Sequence, residues 1–243
     1  MDIQLLAQKF YDYSSYMKGY SSDTIRRYRG AINGYSKFAG ITEIQQVTGE
    51  NVRGWLFDGR TKRGWRVNTF ISFHVSLVVF FRWCVNEGVM EKNPMDDIEV
   101  PKLEKRLPSR LTKPEALKLI EIASNYPYGS EFLRHRNTAI FSMFIFAGLR
   151  KKELLKLKYT DVDLENLSIF VNQGKGGKDR IIPICYTLAH SLNRYLRERK
   201  RLNKTCPEFF ASLNRNQGYT NNGLKGLVVQ LREASGIRIM TSP

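Results

Sequence analysis

Two short segments of the sequence carry residues that could act on a phosphate group. The first runs Ala147-Gly-Leu-Arg-Lys-Lys-Glu-Leu154, where an apolar helix should stop at Gly148 and Arg150 stands at the break. Glu153 follows Arg150 by one helical turn, close enough to bind its guanidinium. An arginine fixed at such a junction can clamp a phosphate through two hydrogen bonds. A purely structural ion pair between Arg150 and Glu153 explains the same spacing.

The second segment is Gln173-Gly-Lys-Gly-Gly-Lys-Asp-Arg180, which lies between two runs that alternate like strands. It is not a P-loop, because no Gly-Lys-Ser/Thr opens a helix. At the tip of a hairpin, Lys175 could enter a DNA groove and donate a proton to a leaving 5′ oxygen as a general acid. An ordinary exposed turn is the alternative, and for this segment alone it is the simpler interpretation.

The elements that would position these segments predict a mainly α fold with a small antiparallel β-sheet. Residues 1–93 show helical apolar spacing, and the nearly all-apolar segment Val67–Asn86 should be the central buried helix. Residues 94–110 combine three spaced prolines with basic side chains, which predicts an extended basic interdomain linker. The other helices predicted before the linker cover residues 2–17, run from the Ser21–Asp23 cap to Gly40, and begin at Thr48.

A second domain is predicted over residues 111–243. It opens with a capping box, because Glu115 follows Thr112 by three residues and Pro114 lies in the first turn. The runs 167–171 and 180–184 alternate as the two strands of a hairpin do. Further helices are predicted over 112–124, 132–147, 187–202 and 220–235, with a short helix from Lys151 and a short strand over 209–212.

The chain carries a large positive charge, with 39 Lys and Arg against 23 Asp and Glu, for a formal net charge of +16. An excess of this size predicts a polyanionic partner, and nucleic acid is the first candidate. An anionic membrane surface is the rival, but no stretch reaches the roughly 18 apolar residues expected of a spanning helix. The basic side of the predicted helix 187–202 comprises Arg194, Arg197, Arg199, Lys200 and Arg201.

The cysteines and histidines do not suggest a metal site. The three cysteines are odd in number and widely spaced, at Cys84, Cys185 and Cys206, and the three histidines are equally scattered. This usage favours a reducing, cytoplasmic location without disulfides. His74 lies in an apolar helix, so we interpret it as a hydrogen-bonded core residue.

The two phosphate-directed segments occur in this order, with Arg150 and Lys175 separated by 25 positions. Together with the Asp161-Val-Asp163 continuation and the Arg180-x-x-Pro183 ending, they resemble the tyrosine recombinase family (phage integrase, Xer-like). The resemblance also covers the front half, where the family has a four-helix SAM-like core-binding domain followed by a linker and an α+β catalytic domain. The whole would form a C-shaped clamp on duplex DNA.

The resemblance implies a mechanism and residue roles. Arg150 would be the first of two arginines that bracket the scissile phosphate, Lys175 the hairpin acid, and Glu153 an orienting residue. A tyrosine would attack to give a 3′-phosphotyrosyl intermediate in site-specific recombination or integration. This chemistry neutralises charge on the phosphate oxygens and needs no metal or other cofactor.

The expected partner is duplex DNA with inverted-repeat recombination half-sites, and no membrane. We expect a monomer in solution that forms a homo-oligomer on DNA when the catalytic domain is complete. Each candidate DNA contact could equally be a solvated surface charge. The candidates are Arg26, Arg27, Lys62, Arg63, Arg66, Lys105, Arg106, Arg110, Lys178 and Arg180.

The sequence departs from the family pattern at its end, Met240-Thr-Ser-Pro243, where the family continues into His-x-Leu-Arg-His. We therefore expect a truncated catalytic domain, with the second arginine, the histidines and the nucleophilic tyrosine beyond Pro243. Tyr186, Tyr195 and Tyr219 lack the nucleophile's context, so residues 1–243 alone should not cleave DNA. Two alternatives stay open. One is a non-catalytic recombinase-derived module that occupies recombination sites, and the other is an unrelated basic helical protein that binds RNA or regulates transcription.

Overall fold

The computed structural model describes residues 1–102, 111–172 and 179–237. The chain divides into two compact units, Met1–Arg106 and Leu107–Pro243. The described residues form mainly helices and one small antiparallel sheet, which confirms the predicted fold class. The helices of the first unit are α1 (Ile3–Asp12), α2 (Ser22–Ala39), α3 (Gly49–Thr61) and α4 (Val67–Asn86).

The ends of these helices follow from local sequence. The Ser21 hydroxyl accepts a hydrogen bond from the backbone N–H of Thr24 and starts α2, and Thr48 forms a capping box with Asn51 at the start of α3. Gly40 ends α2 with φ of 65°, a left-handed conformation in which a Cβ would be strained. The predicted caps at Ser21, Thr48 and Gly40 are confirmed.

The core of the first unit is rich in aromatic rings. Trp55, Tyr35 and Phe80 are almost fully buried, and Phe10 packs edge-on against Phe80 with ring centroids 5.4 Å apart. The predicted apolar stripe of the first helix fails at Met17, which is 75% exposed. The reason is a π-helical turn over Tyr13–Met17, whose wider period rotates the following side chains off the buried face.

Helix α4 corrects an expectation about membranes. By length and composition alone Val67–Asn86 could cross a membrane, so the prediction that no segment reaches this threshold is wrong. Phe70, Leu77 and Phe81 of this helix are buried among α1, α2 and α3, which gives a sufficient physical reason for its apolar composition. His74 is buried as predicted, with its Nε2 3.1 Å from the carbonyl oxygen of Ile98.

The first residues of the predicted linker pack with the first unit. Met95 and Ile98 are buried in its core, and the side-chain amide of Asn93 donates to the carbonyl of Val78 at 3.2 Å. The chain therefore leaves the core of this unit after Ile98. Residues 103–110, which hold three of the predicted linker's four basic residues, lie outside the described residues.

The second unit packs helices around a three-stranded antiparallel sheet. The strands are β1 (Val162–Asp163), β2 (Ser168–Val171) and β3 (Arg180–Pro183), in the order β1-β2-β3. The predicted hairpin is confirmed, because β2 pairs with β3 from Ser168 opposite Pro183 to Val171 opposite Arg180. Its helices are α5 (Lys113–Asn125), α6 (Glu131–Phe146), α7 (Lys151–Lys156), α8 (Tyr186–Arg201) and α9 (Asn221–Ser235).

Two local predictions for the second unit have different outcomes. Thr112 and Glu115 form the expected capping box at the start of α5. The predicted strand over 209–212 is wrong, because within this segment only Ala211 forms a bridge, an isolated one opposite Gly218. A strand needs an extended neighbour over several residues, and sequence alternation does not supply one.

One residue predicted on the basic side of α8 is internal. Arg199 is 4% exposed, and its guanidinium donates to the carbonyl oxygens of Cys206, Glu208 and Phe209. Three backbone acceptors satisfy the buried cation and tie the end of α8 to the segment 206–209. Arg199 therefore holds this unit together and does not contribute to its charged surface.

Candidate active site

Arg150 is positioned by the junction between α6 and α7. Helix α6 ends at Phe146, and Gly148 turns the chain with φ of 59°. Arg150 then takes an extended conformation as the N-cap residue of α7. Its side chain is 58% exposed. The break therefore presents an accessible guanidinium on a fixed backbone, as the sequence indicates.

Glu153 binds three groups from two elements. Its carboxylate accepts a hydrogen bond from the backbone N–H of Arg150 at 2.8 Å and another from the Arg150 guanidinium at 2.8 Å. Arg180, the first residue of β3, donates from two guanidinium nitrogens at 2.9 and 2.8 Å. One carboxylate thus caps α7, orients Arg150 and joins α7 to the hairpin.

These contacts govern the ionisation of Glu153. The side chain is only 7% exposed, yet its pKa falls from 4.5 to about 2. The hydrogen bonds from Arg180 are the largest cause, and those from Arg150 add to them, against the opposing effect of burial. Glu153 is therefore a fixed anion at neutral pH, with the two arginines held on either side of it.

The ion pair considered for Arg150 and Glu153 is present, and it leaves room for phosphate binding. Because only one Arg150 nitrogen is bonded to Glu153 and the side chain is largely exposed, the remaining donors can face a ligand. The structural and the phosphate-clamping interpretations of this pair are therefore compatible.

The hairpin that should carry Lys175 is closed by the pairing of Val171 with Arg180. Lys175 and Lys178 lie outside the described residues, as do Lys105, Arg106 and Arg110 of the predicted linker. The pairing of Arg180 with Glu153 fixes the end of the hairpin next to Arg150. The two sequence segments that suggested phosphate chemistry therefore meet in the second unit through this contact.

The candidate DNA contacts of the first unit form two groups. Arg26 and Arg27 are exposed near the start of α2. Arg63 pairs with Asp58 at 2.7 Å and lies 5.5 Å from the centre of the Phe38 ring, near the other end of α2. Twelve helical residues separate Arg26 from Phe38, so the groups are about 18 Å apart along the helix.

Several of these basic side chains already have partners. Lys62 shares Asp58 with Arg63 at 3.6 Å, and Arg26 pairs with Asp23 one turn earlier. Arg66 is exposed at the N-cap of α4. The basic partner of each pair is largely exposed, and ion pairs at a solvated surface cost little to separate, so these side chains remain available to a polyanion.

The three tyrosines weighed as possible nucleophiles, Tyr186, Tyr195 and Tyr219, differ in their surroundings. Tyr195 is fully buried, donates to the carbonyl of Phe209 at 3.0 Å and accepts from the N–H of Ala211 at 2.8 Å. The Arg136 guanidinium carbon stacks over the ring of Tyr219, 4.0 Å from the centre of that ring. Tyr186 is 82% exposed at the start of α8. Tyr195 and Tyr219 therefore act as packing groups.

Among the residues of ranges 1–102, 111–172 and 179–237, no three His, Cys, Asp or Glu side chains form a group that could hold an ion. The site as described is built from guanidinium and carboxylate groups, which suits electrostatic stabilisation of an anion.

Comparisons with known proteins follow the same division of the chain. The family model for the N-terminal SAM-like domain of phage integrases matches residues 7–88. The model of the phage integrase family matches residues 109–243, more than half of the chain. The chain belongs to the phage integrase family. The alternative of an unrelated RNA-binding or regulatory protein is thereby excluded.

Relatives with high coverage are tyrosine recombinases. The chain is 28% identical to tyrosine recombinase XerC of Thermodesulfovibrio yellowstonii over 96% of its own length and 77% of the relative's. It is 30% identical to XerC of Bacillus licheniformis, covering 93% of the chain and 75% of that relative. The fold is similar to that of a chain in the crystal structure of a lambda integrase dimer bound to a COC′ core site. The TM-score is 0.74 at 19% identity, and the match covers 100% of this chain and 85% of that one.

Sequence reasoning missed the role of Arg180 as the second partner of Glu153. The two residues are 27 positions apart and belong to different elements, so no helical or strand period connects them. The only signal in the sequence was the predicted hairpin, whose second strand begins at Arg180.

Proposed function

We propose that the protein acts in site-specific recombination of duplex DNA, with Arg150 as a clamp for the scissile phosphate. The observation that carries the proposal is the triple contact of Glu153, which presents an exposed Arg150 next to the base of the hairpin. An arginine whose orientation is fixed before the substrate arrives stabilises developing phosphate charge without reorganisation.

In this proposal Lys175 serves as the general acid for the leaving 5′ oxygen, and Glu153 is a positioning residue that acts through Arg150. The family resemblance supplies the remaining step, attack by a tyrosine to give a 3′-phosphotyrosyl intermediate. The covalent bond between tyrosine and phosphate conserves the energy of the cleaved phosphodiester bond, so the proposed reaction requires neither ATP nor a metal.

Binding precedes this chemistry and uses the wider positive surface. We propose that both units contact one duplex carrying inverted half-sites, through Arg26, Arg27, Lys62, Arg63 and Arg66 of the first unit. Lys105, Arg106, Arg110, Lys178 and Arg180 complete the proposed set. The protein is proposed to be a monomer without DNA and to assemble with further copies on it.

Gel-shift titration of a recombination-site duplex tests the proposal, with single-stranded RNA of equal length as the competitor. We expect the protein to bind the duplex more tightly than the RNA. The logarithm of the association constant for the duplex should fall by roughly 0.9 per neutralised phosphate for each tenfold rise in salt concentration. A duplex affinity that does not change with salt concentration, or equal affinities for the duplex and the RNA, would overturn the proposal.

Covalent trapping on a nicked suicide substrate separates catalysis from occupancy. A protein–DNA adduct that disappears in Arg150→Ala identifies a strand transferase. Salt-dependent binding without an adduct identifies residues 1–243 as a module that occupies its site.

A further inference from the structure

A cleft of about 630 Å³ lies in the second unit, away from Arg150. Its walls are the C-terminal half of α8, the turn over 203–207 and the segment 158–160. Arg150 is the N-cap residue of α7 and Lys158 follows the end of this helix, so the cleft and the candidate active site lie at its opposite ends. The six residues of α7 alone account for about 9 Å of separation.

The charge of the cleft has one sign. Five of its lining residues are basic, and among these described residues there is no carboxylate. The basic residues are Lys158, Arg197, Arg199, Lys200 and Lys204. A concave surface lined only by positive charges concentrates the electrostatic potential and attracts anions.

Two of the five cations have structural partners, and three face solvent. Arg199 binds backbone carbonyls, and the Lys204 ammonium donates to the carbonyl oxygens of Leu213 and Arg215. Lys158, Arg197 and Lys200 are exposed, and no described carboxylate pairs with them. These three are therefore available to a ligand.

The basic last turn of α8 has a simpler explanation, which does not account for the cleft. Cations are favoured at the C-terminal end of any helix, where the dipole is negative. Lys158 belongs to a different element, which backbone pairing joins to the segment that follows α8. The N–H of Tyr159 donates to the carbonyl of Pro207 at 2.8 Å, and that of Phe209 donates to the carbonyl of Leu157 at 2.7 Å. The helix dipole does not require this placement.

The walls are also held in place before a ligand arrives. The Asn216 side chain accepts from the N–H groups of Thr205 at 2.9 Å and Cys206 at 3.0 Å, and Arg199 ties the end of α8 to the same segment. Preorganised donors lose less conformational entropy on binding. Tyr159, Thr160 and Thr205, which carry hydroxyl groups, also line the cleft.

We propose that this cleft is a second anion site, which binds a ligand with several adjacent phosphate groups. Three uncompensated cations around one concave surface match closely spaced negative charges, and the cleft has the volume of a small-molecule site. The phosphates belong either to a free polyphosphate or to a stretch of DNA backbone, and both present the same chemistry to Lys158, Arg197 and Lys200.

Isothermal titration of the full chain with inorganic tripolyphosphate tests the proposal. The cleft variant is K158Q/R197Q/K200Q, and the matched control K118Q/R194Q/K225Q removes the same charge from exposed positions outside the cleft. We expect the cleft variant to bind about tenfold more weakly or worse, and the control to stay within about twofold of the unaltered chain. Circular dichroism checks that both variants are folded.

Three outcomes overturn the proposal: no binding of tripolyphosphate to the unaltered chain, equal weakening in both variants, or equally tight cleft-dependent binding of citrate. When tripolyphosphate behaves as expected, a duplex titration identifies the source of the phosphates. Loss of duplex affinity in the cleft variant alone assigns the cleft to DNA backbone, and equal loss in both variants assigns it to a free ligand.

Discussion

At the scale of single residues, the site depends on one carboxylate. Glu153 accepts from the Arg150 backbone and from the Arg150 and Arg180 guanidiniums, at distances of 2.8 to 2.9 Å. The first partner is visible in the sequence, because Arg150 and Glu153 are separated by one helical turn. The second is not, because Arg180 arrives through the sheet.

Replacing Glu153 with Gln should lower the free energy of unfolding at pH 7 by about 1–3 kcal/mol, because charge-assisted hydrogen bonds become neutral ones. Urea unfolding of the variant and the unaltered chain measures this difference. Arg201→Gln is the matched control, since it breaks only the pair between the exposed Arg201 and Glu198 and should change stability much less than Glu153→Gln does.

The stability difference between the unaltered chain and E153Q should depend on pH in a defined direction. The pKa of Glu153 is about 2 in the folded chain and 4.5 without the fold, so folding favours its ionised form. The stabilisation is complete above pH 4.5 and is lost as pH falls toward 2. The gap between the unaltered chain and E153Q should therefore narrow from pH 7 to pH 3. A gap that widens over this range contradicts the assigned contacts.

At the scale of elements, what the sequence predicts well is local. The caps at Ser21, Thr48 and Thr112 depend on neighbouring residues and are found as expected. The π-helical turn at Tyr13–Met17 and the burial of Arg199 depend on tertiary packing, which a single sequence does not encode in any short pattern. The hairpin lies between these cases, because alternation predicts its strands but not its contact with α7.

The turn between α6 and α7 supports a prediction about backbone strain. Gly148 has φ of 59° and no atom within 4 Å of the position a Cβ would take, so Gly148→Ala acts through the backbone alone. We expect a loss of about 1–2 kcal/mol and weaker duplex binding, because Arg150 is displaced with the turn.

Gly226→Ala is the contrasting variant. Gly226 lies inside α9, also has open space around it and shows no positive φ, so alanine should stabilise the chain by up to about 1 kcal/mol. Thermal unfolding compares the two variants. Equal effects of G148A and G226A on the melting temperature would show that the turn conformation at Gly148 is not required.

At the scale of the whole molecule, formal charge overstates the charge available to DNA. Of the +16 total, Arg136 and Arg199 are buried at 5% and 4% exposure. Composition therefore predicts that the partner is negatively charged. The number of phosphate contacts depends on which basic side chains the folded surface exposes.

The basic group at the start of α2, Arg26 and Arg27, should contribute to duplex binding. Arg26→Gln with Arg27→Gln should reduce the slope of log K against log salt by up to about 1.8, or about 0.9 for each phosphate that is no longer neutralised. Lys9→Gln with Lys92→Gln removes the same charge from other exposed positions of this unit and should leave the slope nearly unchanged. Fluorescence anisotropy over a salt series measures both.

The shared use of Glu153 also constrains how this protein can diverge. Aspartate is one methylene shorter and cannot reach the Arg150 backbone, the Arg150 side chain and Arg180 at their present distances together. A substitution at position 153 alone leaves two cations without their common anion. Positions 150, 153 and 180 should therefore covary among descendants of this sequence, so that a change at one is tolerated only when the others have shifted first.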